Sequence, residues 1–370
     1  MKKQIVKEFI TVKKVRYLPR EPEPPPPPPK RHILVVGRYT LDVITVCDTF
    51  PNPGETHRIT KGTWRRGGSA SNICTVIRRL GAQCEFLGHL SNAPAFEGLI
   101  SSFIAMGIDI SSCPRSPKDP PHQSIIVVAS NGTRTTIEQS TSTNELTFQQ
   151  FLGAVDYQKY SWIHFECRNA KETKHMITAV RNYNARCGDH IIISVDLPNL
   201  RNMCLLLADL ADYVFVRKQV MLANAYINGH ETVCAIREML RSIRSRWMSL
   251  QPKKTPYLPD DETSQETKKC EPDTKRVPII IYANNIEGAS CLLADDTYFK
   301  VSGHVPTRVL DTVGEHDAFC GAVIYAMHEI ELSLRDAMEY GTRATSVKVA
   351  QNGFDGLRCI PKDLKGFYYL

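Results

Sequence analysis

Short apolar runs alternate along this chain with segments of helical length, and that alternation limits the architectures open to it. Residues 33–36 form an apolar run ending at Gly37, as a buried central strand does, and 162–165, 191–195, 213–216 and 279–282 are similar β-rich runs. Between them lie amphipathic helical stretches at 70–80, 96–106 (stopped by Gly107), 171–185, 201–210 and 231–248. Strands that alternate with helices predict a mostly parallel sheet covered on both faces, an α/β/α sandwich. One departure is the pair 124–129 and 135–139 around Asn131-Gly132, which predicts a hairpin.

Length and charge narrow the function. The 370 residues suffice for one large domain, and the formal charge is +7. Residues 1–30 carry eight Lys/Arg against three Glu, or +5, which leaves +2 for the remaining 340. The body is therefore not a nucleic-acid binder by charge. No apolar run reaches the ~20 residues of a membrane span, and no secretory signal is visible. The basic first 20 residues are richer in Lys than in Arg and hold no Ser, which fits a mitochondrial leader poorly. Twelve cysteines without a C-x-x-C pair read as buried apolar residues in a reducing, cytoplasmic compartment, with no metal site.

Two segments stand outside the folding pattern. Pro24 to Pro29 are six consecutive prolines, a polyproline II rod that reads either as a disordered tail or spacer or as a docking ligand for an SH3 or WW partner. Residues 251–277 hold six basic and six acidic residues with several prolines, and read as a disordered insertion.

Chemistry concentrates in a few places. Asp311-Thr-Val-Gly-Glu-His-Asp-Ala-Phe-Cys-Gly-Ala322 reads as a tight turn opening a buried helix, with Asp317 at its start. Such an N-terminus suits a transferring phosphate, and a carboxylate there can take a proton from an attacking hydroxyl. In Gly67-Gly-Ser-Ala-Ser-Asn72 two glycines allow close backbone approach, and Ser71 and Asn72 either cap a helix or bind hydroxyls. Asp42 follows the first strand, where it is either a turn residue or a ligand group. Glu166 and Arg168 end another strand and either pair with each other or border a ligand.

Taken together these stretches resemble the ribokinase-like (PfkB) carbohydrate kinases, and within them the branch that phosphorylates ketohexoses. The resemblance runs from about His32 to Gly356, interrupted by 251–277. It is carried by Gly37 with Leu41-Asp-Val-Ile44, Trp64-Arg-Arg-Gly-Gly-Ser-Ala-Ser-Asn72 and Asn131-Gly-Thr-Arg-Thr135. Further along come Trp162-Ile-His-Phe-Glu-Cys-Arg-Asn-Ala170, Val214-Phe-Val216 with Lys218, Asp311-Thr-Val-Gly314 with Asp317, and Gly353-Phe-Asp-Gly356. It implies a ribokinase-like three-layer sandwich at 31–370, with a small β-sheet lid whose strands lie within about 42–66 and 122–140. It also implies ATP with Mg²⁺, and phosphorylation of fructose at its C1 hydroxyl with Asp317 as catalytic base. Asp42, Gly68, Ser69, Asn72, Glu166 and Arg168 would bind the sugar. Arg134, Asn285, Ile286, Glu287, Gly288, Gly314, Glu315 and His316 would meet the nucleotide. A homodimer through the lid sheets is implied as well.

The chain departs from that family at its turn. The motif Gly-Ala-Gly-Asp is here Gly314-Glu-His-Asp317. Glu315 brings a negative charge to an anion hole; two charges at ~4 Å repel by roughly 1–4 kcal/mol, and ~1.4 kcal/mol is tenfold in rate. His316 replaces a glycine, so its side chain is expected to bend the turn or fill the pocket. Ser69 stands where the branch has Asn, and Val349-Ala-Gln-Asn352 replaces a Cys-Gly segment bordering the adenine. Three readings remain open: an active sugar kinase, an impaired pseudokinase that binds sugar or nucleotide and acts by protein interaction, and a kinase for another small substrate.

Overall fold

The computed structural model describes residues 30–131, 133–139, 145–188, 190–250, 276–284 and 287–359; the tail at 1–29, most of the insertion, Gly132, Asn285 and Ile286 lie outside the described residues. The body, Arg31–Leu370, is one compact unit.

The strands run β1 (His32–Val36), β2 (Thr40–Cys47), β3 (Lys61–Gly67), β4 (Cys84–Leu87), β5 (Leu90–Ser91), β6 (Arg115–Ser116), β7 (His122–Ala129), β8 (Arg134–Glu138), β9 (Tyr160–Glu166), β10 (Ile192–Leu197), β11 (Tyr213–Val216), β12 (Ile279–Ala283), β13 (Ala289–Leu292) and β14 (Tyr298–Val301). The helices are α1 (Ser69–Leu80), α2 (Glu97–Ala105), α3 (Phe148–Ala154), α4 (Ala170–Cys187), α5 (Asn202–Asp209), α6 (Lys218–Ala223), α7 (Gly229–Leu250), α8 (Glu315–His328) and α9 (Leu334–Val349).

Among the described residues eight strands form the main sheet in the order β14-β13-β12-β11-β10-β9-β1-β4. From β4 to β12 all neighbours are parallel, and β13 and β14 are antiparallel additions at one edge. Helices α1, α8 and α9 pack as one layer and α3, α4, α5 and α7 as the other. Chain order reverses at β1, which lies between β4 and β9. In such sheets the crevice beyond the carboxyl ends at the reversal is where ligands bind. The parallel strands are buried on both faces, which is why they read as continuous apolar runs.

A second sheet, β3-β2-β7-β8, contains the expected hairpin; β7 and β8 pair antiparallel. Asp42 lies inside β2 rather than in a turn. Helices α1, α4 and α7 fall within a residue or two of their expected positions. Strand β4, the edge strands β13 and β14, and helix α9 were not anticipated. Their segments are short or, in α9, rich in polar residues (Arg335, Asp336, Glu339, Arg343), so the apolar signal is weak. Of the ten cysteines whose burial is described eight are buried, as small apolar residues are. Among the described residues no helix is long and apolar enough to cross a membrane.

Candidate active site

Four parallel strands end at the crevice, and each delivers a site residue at or just past its carboxyl end. Gly37 follows β1, Glu166 closes β9, Asp196 is the penultimate residue of β10, and Arg217 follows β11. Helices α1 and α8 begin in the same place. Both are preceded by a left-handed glycine, Gly68 at φ 92° and Gly314 at φ 84°, and neither has a side-chain cap. A side chain at either position would be strained, and a Cβ on Gly314 would come within 2.7 Å of the Phe354 ring. Gly67 serves a different purpose: a Cβ there would lie 1.9 Å from the Asp42 carboxylate, so its absence makes room for that group.

Asp317, in the first turn of α8, is buried and held from both sides. Ser69 Oγ donates to its Oδ1 at 2.6 Å and Asn72 Nδ2 to its Oδ2 at 2.8 Å. These bonds span 248 and 245 residues of sequence, so only the packing of α1 against α8 creates them. Asn72 is thus not a cap of α1. Ser71 is not one either; its hydroxyl and carbonyl take the half-buried Arg66 guanidinium.

Asp42 faces the same space from the second sheet. Burial pushes its carboxyl up, against the Thr40 hydroxyl at 2.5 Å and the Arg65 charge, and it lies near enough to Asp317 for the two charges to interact. Glu166 is also raised by burial, opposed by Arg168 and Arg38, and accepts from the Arg38 amide at 3.1 Å. Its pairing with Arg168 is loose at 4.0 Å; the nearer partner of Arg168 is Glu145 at 3.1 Å.

His316 is the residue expected to fill the phosphate pocket or bend the turn. The first turn of α8 is regular, and the imidazole points inward, with Nε2 3.0 Å from Asp196 Oδ1 and 3.3 Å from Cys320 Sγ. Asp196 also holds Arg217, whose Nε donates to Oδ2 at 2.8 Å and whose Nη2 reaches the same oxygen. Burial would raise this carboxyl, but Arg217 and His316 outweigh it and hold it well below the usual range. Burial likewise works against the Arg217 charge, and Asp196 and Asp317 overcome it. Neither Asp196 nor Arg217 was singled out from the sequence. The available signal was position, a polar residue at the carboxyl end of an apolar strand, and many such residues do nothing.

The turn before Gly314 is anchored separately. Lys348, fully buried near the end of α9, donates to the Asp311 carbonyl at 2.6 Å and lies 3.0 Å from its carboxylate. Arg65 of β3 donates to the same carboxylate at 2.9 Å. Burial works to raise Asp311, but Lys348 and Arg65 bring it down to about 2. Burial lowers Lys348 to about 8 despite Asp311, and the charge of Glu315 also reaches this lysine. Arg134, on β8, donates to Thr312 Oγ1 at 3.2 Å, so a second arginine from the small sheet touches the turn. Glu287 and Gly288 lie further along the crevice, between β12 and β13, beside a cleft of about 270 Å³ that Asn284 and Tyr282 also line.

Residues 30–219 match the family described as pfkB family carbohydrate kinase. Ketohexokinase of Mus musculus is 30% identical over 331 residues, covering 89% of this chain and 99% of the mouse protein. Among solved structures, ribokinase from Giardia lamblia superposes with a TM-score of 0.71 at 14% identity, covering 90% of this chain and 97% of its own. Ribokinase of Arabidopsis thaliana, complexed with ribose and ATP, gives 0.60 at 15% identity, covering 89% and 95%. At these identities the two structures bear on the fold alone.

Proposed function

The chain belongs to the pfkB family of carbohydrate kinases, and from that premise we propose that it transfers the γ-phosphoryl group of ATP to the C1 hydroxyl of a ketohexose such as fructose. One observation carries this reading: a buried carboxylate, Asp317, stands in the first turn of an uncapped helix, held by Ser69 and Asn72. The hydroxyl oxygen forms the new bond to phosphorus, the bond to the ADP oxygen breaks, and Asp317 takes the hydroxyl proton. Bound Mg·ATP supplies the phosphoryl group and the metal that spreads its charge. The open N-terminus of α8 faces the developing negative charge, and Lys348 and Arg65 keep its turn in shape through Asp311.

On the acceptor side Asp42, Gly68, Ser69, Asn72, Glu166 and Arg168 are assigned to the sugar. On the donor side Arg134, Glu287, Gly288, Gly314, Glu315 and His316 are assigned to the nucleotide, with Asn285 and Ile286 completing that set. His316 acts there only through the turn, since its ring points into the protein. That inward turn supports transfer, since the ring is committed to Asp196 and Cys320. Glu315 favours the second reading, binding without transfer, because its charge remains at the turn.

The small sheet also supports a homodimer. Trp64, Val43, Ile125 and Ile137 are register partners across its four strands, and Trp64 is 76% and Ile137 58% exposed. A row of this kind on an open face is best covered. Light scattering of the full chain and of Trp64→Glu reads this directly: a monomeric mass for the natural protein removes the dimer.

The primary test is ADP release with fructose and Mg·ATP. Turnover by the natural protein and none by Asp317→Asn supports the kinase. Turnover only in a Glu315→Ala, His316→Gly double variant identifies a pseudokinase disabled at its turn. Activity in neither form rejects the ketohexose.

A further inference from the structure

Arg217 has no counterpart among the residues assigned above, yet it sits one hydrogen bond from the group that holds the base. It occupies the loop between β11 and α6, as the residue immediately before that helix. One edge of its guanidinium is spent on anchoring. Nε and Nη2 both donate to Asp196 Oδ2, and Nη2 donates also to Ser69 Oγ. The anchor is firm, because Asp196 is itself 1% exposed and fixed on its other oxygen by His316. A guanidinium has donors only and is planar, so anchoring one edge fixes the direction of the other.

The other edge is what remains for a ligand. Nη1 has no hydrogen-bond partner among the described residues, and the side chain is 27% exposed although Asp196 beneath it is closed off. Around it the crevice presents mainly acceptors: the carboxylates of Asp317, Asp42 and Glu166, the first and last near enough for their charges to act on Arg217. The amide donor of Asn72 is already committed to Asp317. A polyhydroxylated acceptor satisfies the carboxylates with its own O–H groups, and then needs a donor for an oxygen that has none to give. With Asp196 matching the arginine charge and three further carboxylates nearby, that acceptor is neutral rather than anionic.

We propose that Arg217 is a specificity-determining residue of this site, its Nη1 edge donating to the sugar oxygen on the carbon next to the attacked hydroxyl. Ser69 sets this distance. It accepts from Arg217 and donates to Asp317, so the guanidinium stands one residue's reach from the base. A donor placed for one oxygen discriminates against an analogue that lacks it, because the donor is then left unpaired in a partly buried place. For a ketohexose attacked at C1, that oxygen is the C2 hydroxyl. The inference therefore rests on the sugar-kinase reading.

The test is calorimetric binding of two ligands to the full chain: D-fructose, and 2,5-anhydromannitol, which keeps the furanose ring but lacks the C2 hydroxyl. The natural protein is expected to bind fructose at least about tenfold more tightly. In Arg217→Met the two ligands are expected to bind alike. Should that variant fail to fold for want of a partner for Asp196, Arg217→Lys keeps the charge, loses the Nη1 edge, and is expected to lose the preference too. A preference that survives in a folded variant, or equal binding by the natural protein, overturns the inference and leaves Arg217 as an anchor for Asp196. If the natural protein binds neither ligand, the sugar-kinase reading itself fails and takes this inference with it.

Discussion

Helices α8 and α9 pack side by side and solve the same problem in opposite ways. Every helix start leaves backbone N–H groups without partners. At the start of α9 a side chain fills the need: Ser333 Oγ accepts from the Asp336 amide, and its hydroxyl donates to the Asp336 carboxylate at 2.7 Å. At the start of α8 a left-handed glycine takes the cap position, no side chain caps the turn, and two carboxylates, Glu315 and Asp317, stand in it. The first arrangement stabilises the helix and closes it. The second leaves a partly positive end open to the crevice, and holds its acid in place through another helix. The difference separates a terminus that serves stability from one kept for a ligand.

The comparison is broken most severely by Asp317→Asn. Activity with fructose is expected to fall by about 10²–10⁴-fold, the worth of a general base, while the melting temperature moves little. Gly314→Ala comes next. The φ of 84° and the contact with Phe354 predict a loss of about 1–3 kcal/mol in urea unfolding, with activity reduced as the turn shifts. Ser333→Ala is the reciprocal control at the closed terminus: about 1 kcal/mol of stability is expected to go, with turnover unchanged.

The smallest effect is one of pH, and it sharpens the comparison at the point where α9 returns to the turn before α8. Lys348 has a folded value of about 8, below the ordinary lysine value. Between pH 8 and about 10.4 the unfolded chain therefore binds this proton more tightly than the folded one, so this group makes stability rise with pH across that window. Activity is expected to move the other way, declining above pH 8 as the neutral amine loosens its hold on Asp311. Asp311, lowered to about 2, contributes stability above about pH 4 that is lost as pH falls through 2. Paired pH profiles of rate and melting temperature check both signs; parallel decline of the two above pH 8 would remove the assignment to Lys348.

Much of this architecture was legible along the chain, for local reasons. The apolar runs at 33–36 and 213–216 are strands β1 and β11, because a strand buried on both faces needs no alternation. The glycines before α1 and α8 read as turns because few other residues adopt positive φ. The polar strands of the small sheet were harder. Asp42 lies mid-strand, and nothing local distinguishes a carboxylate that faces a crevice from one in a turn. Glu166 and Arg168 are two residues apart in sequence and read either as a pair or as a ligand border; the strand end places Arg168 nearer to Glu145.

The amino-acid sequence by itself determined the alternation of the main apolar strands with helices, the two glycine turns and the place of Asp317 at a helix start, since periodicity and backbone sterics act within a few residues. Only the tertiary structure decided what His316 does. Read locally it obstructs a phosphate turn; in the fold it turns to Asp196, 120 residues earlier, and shares that carboxylate with Arg217. A buried charge is stable only where its partners converge, and the convergence of β10, the loop after β11 and α8 exists only once the sheet has assembled.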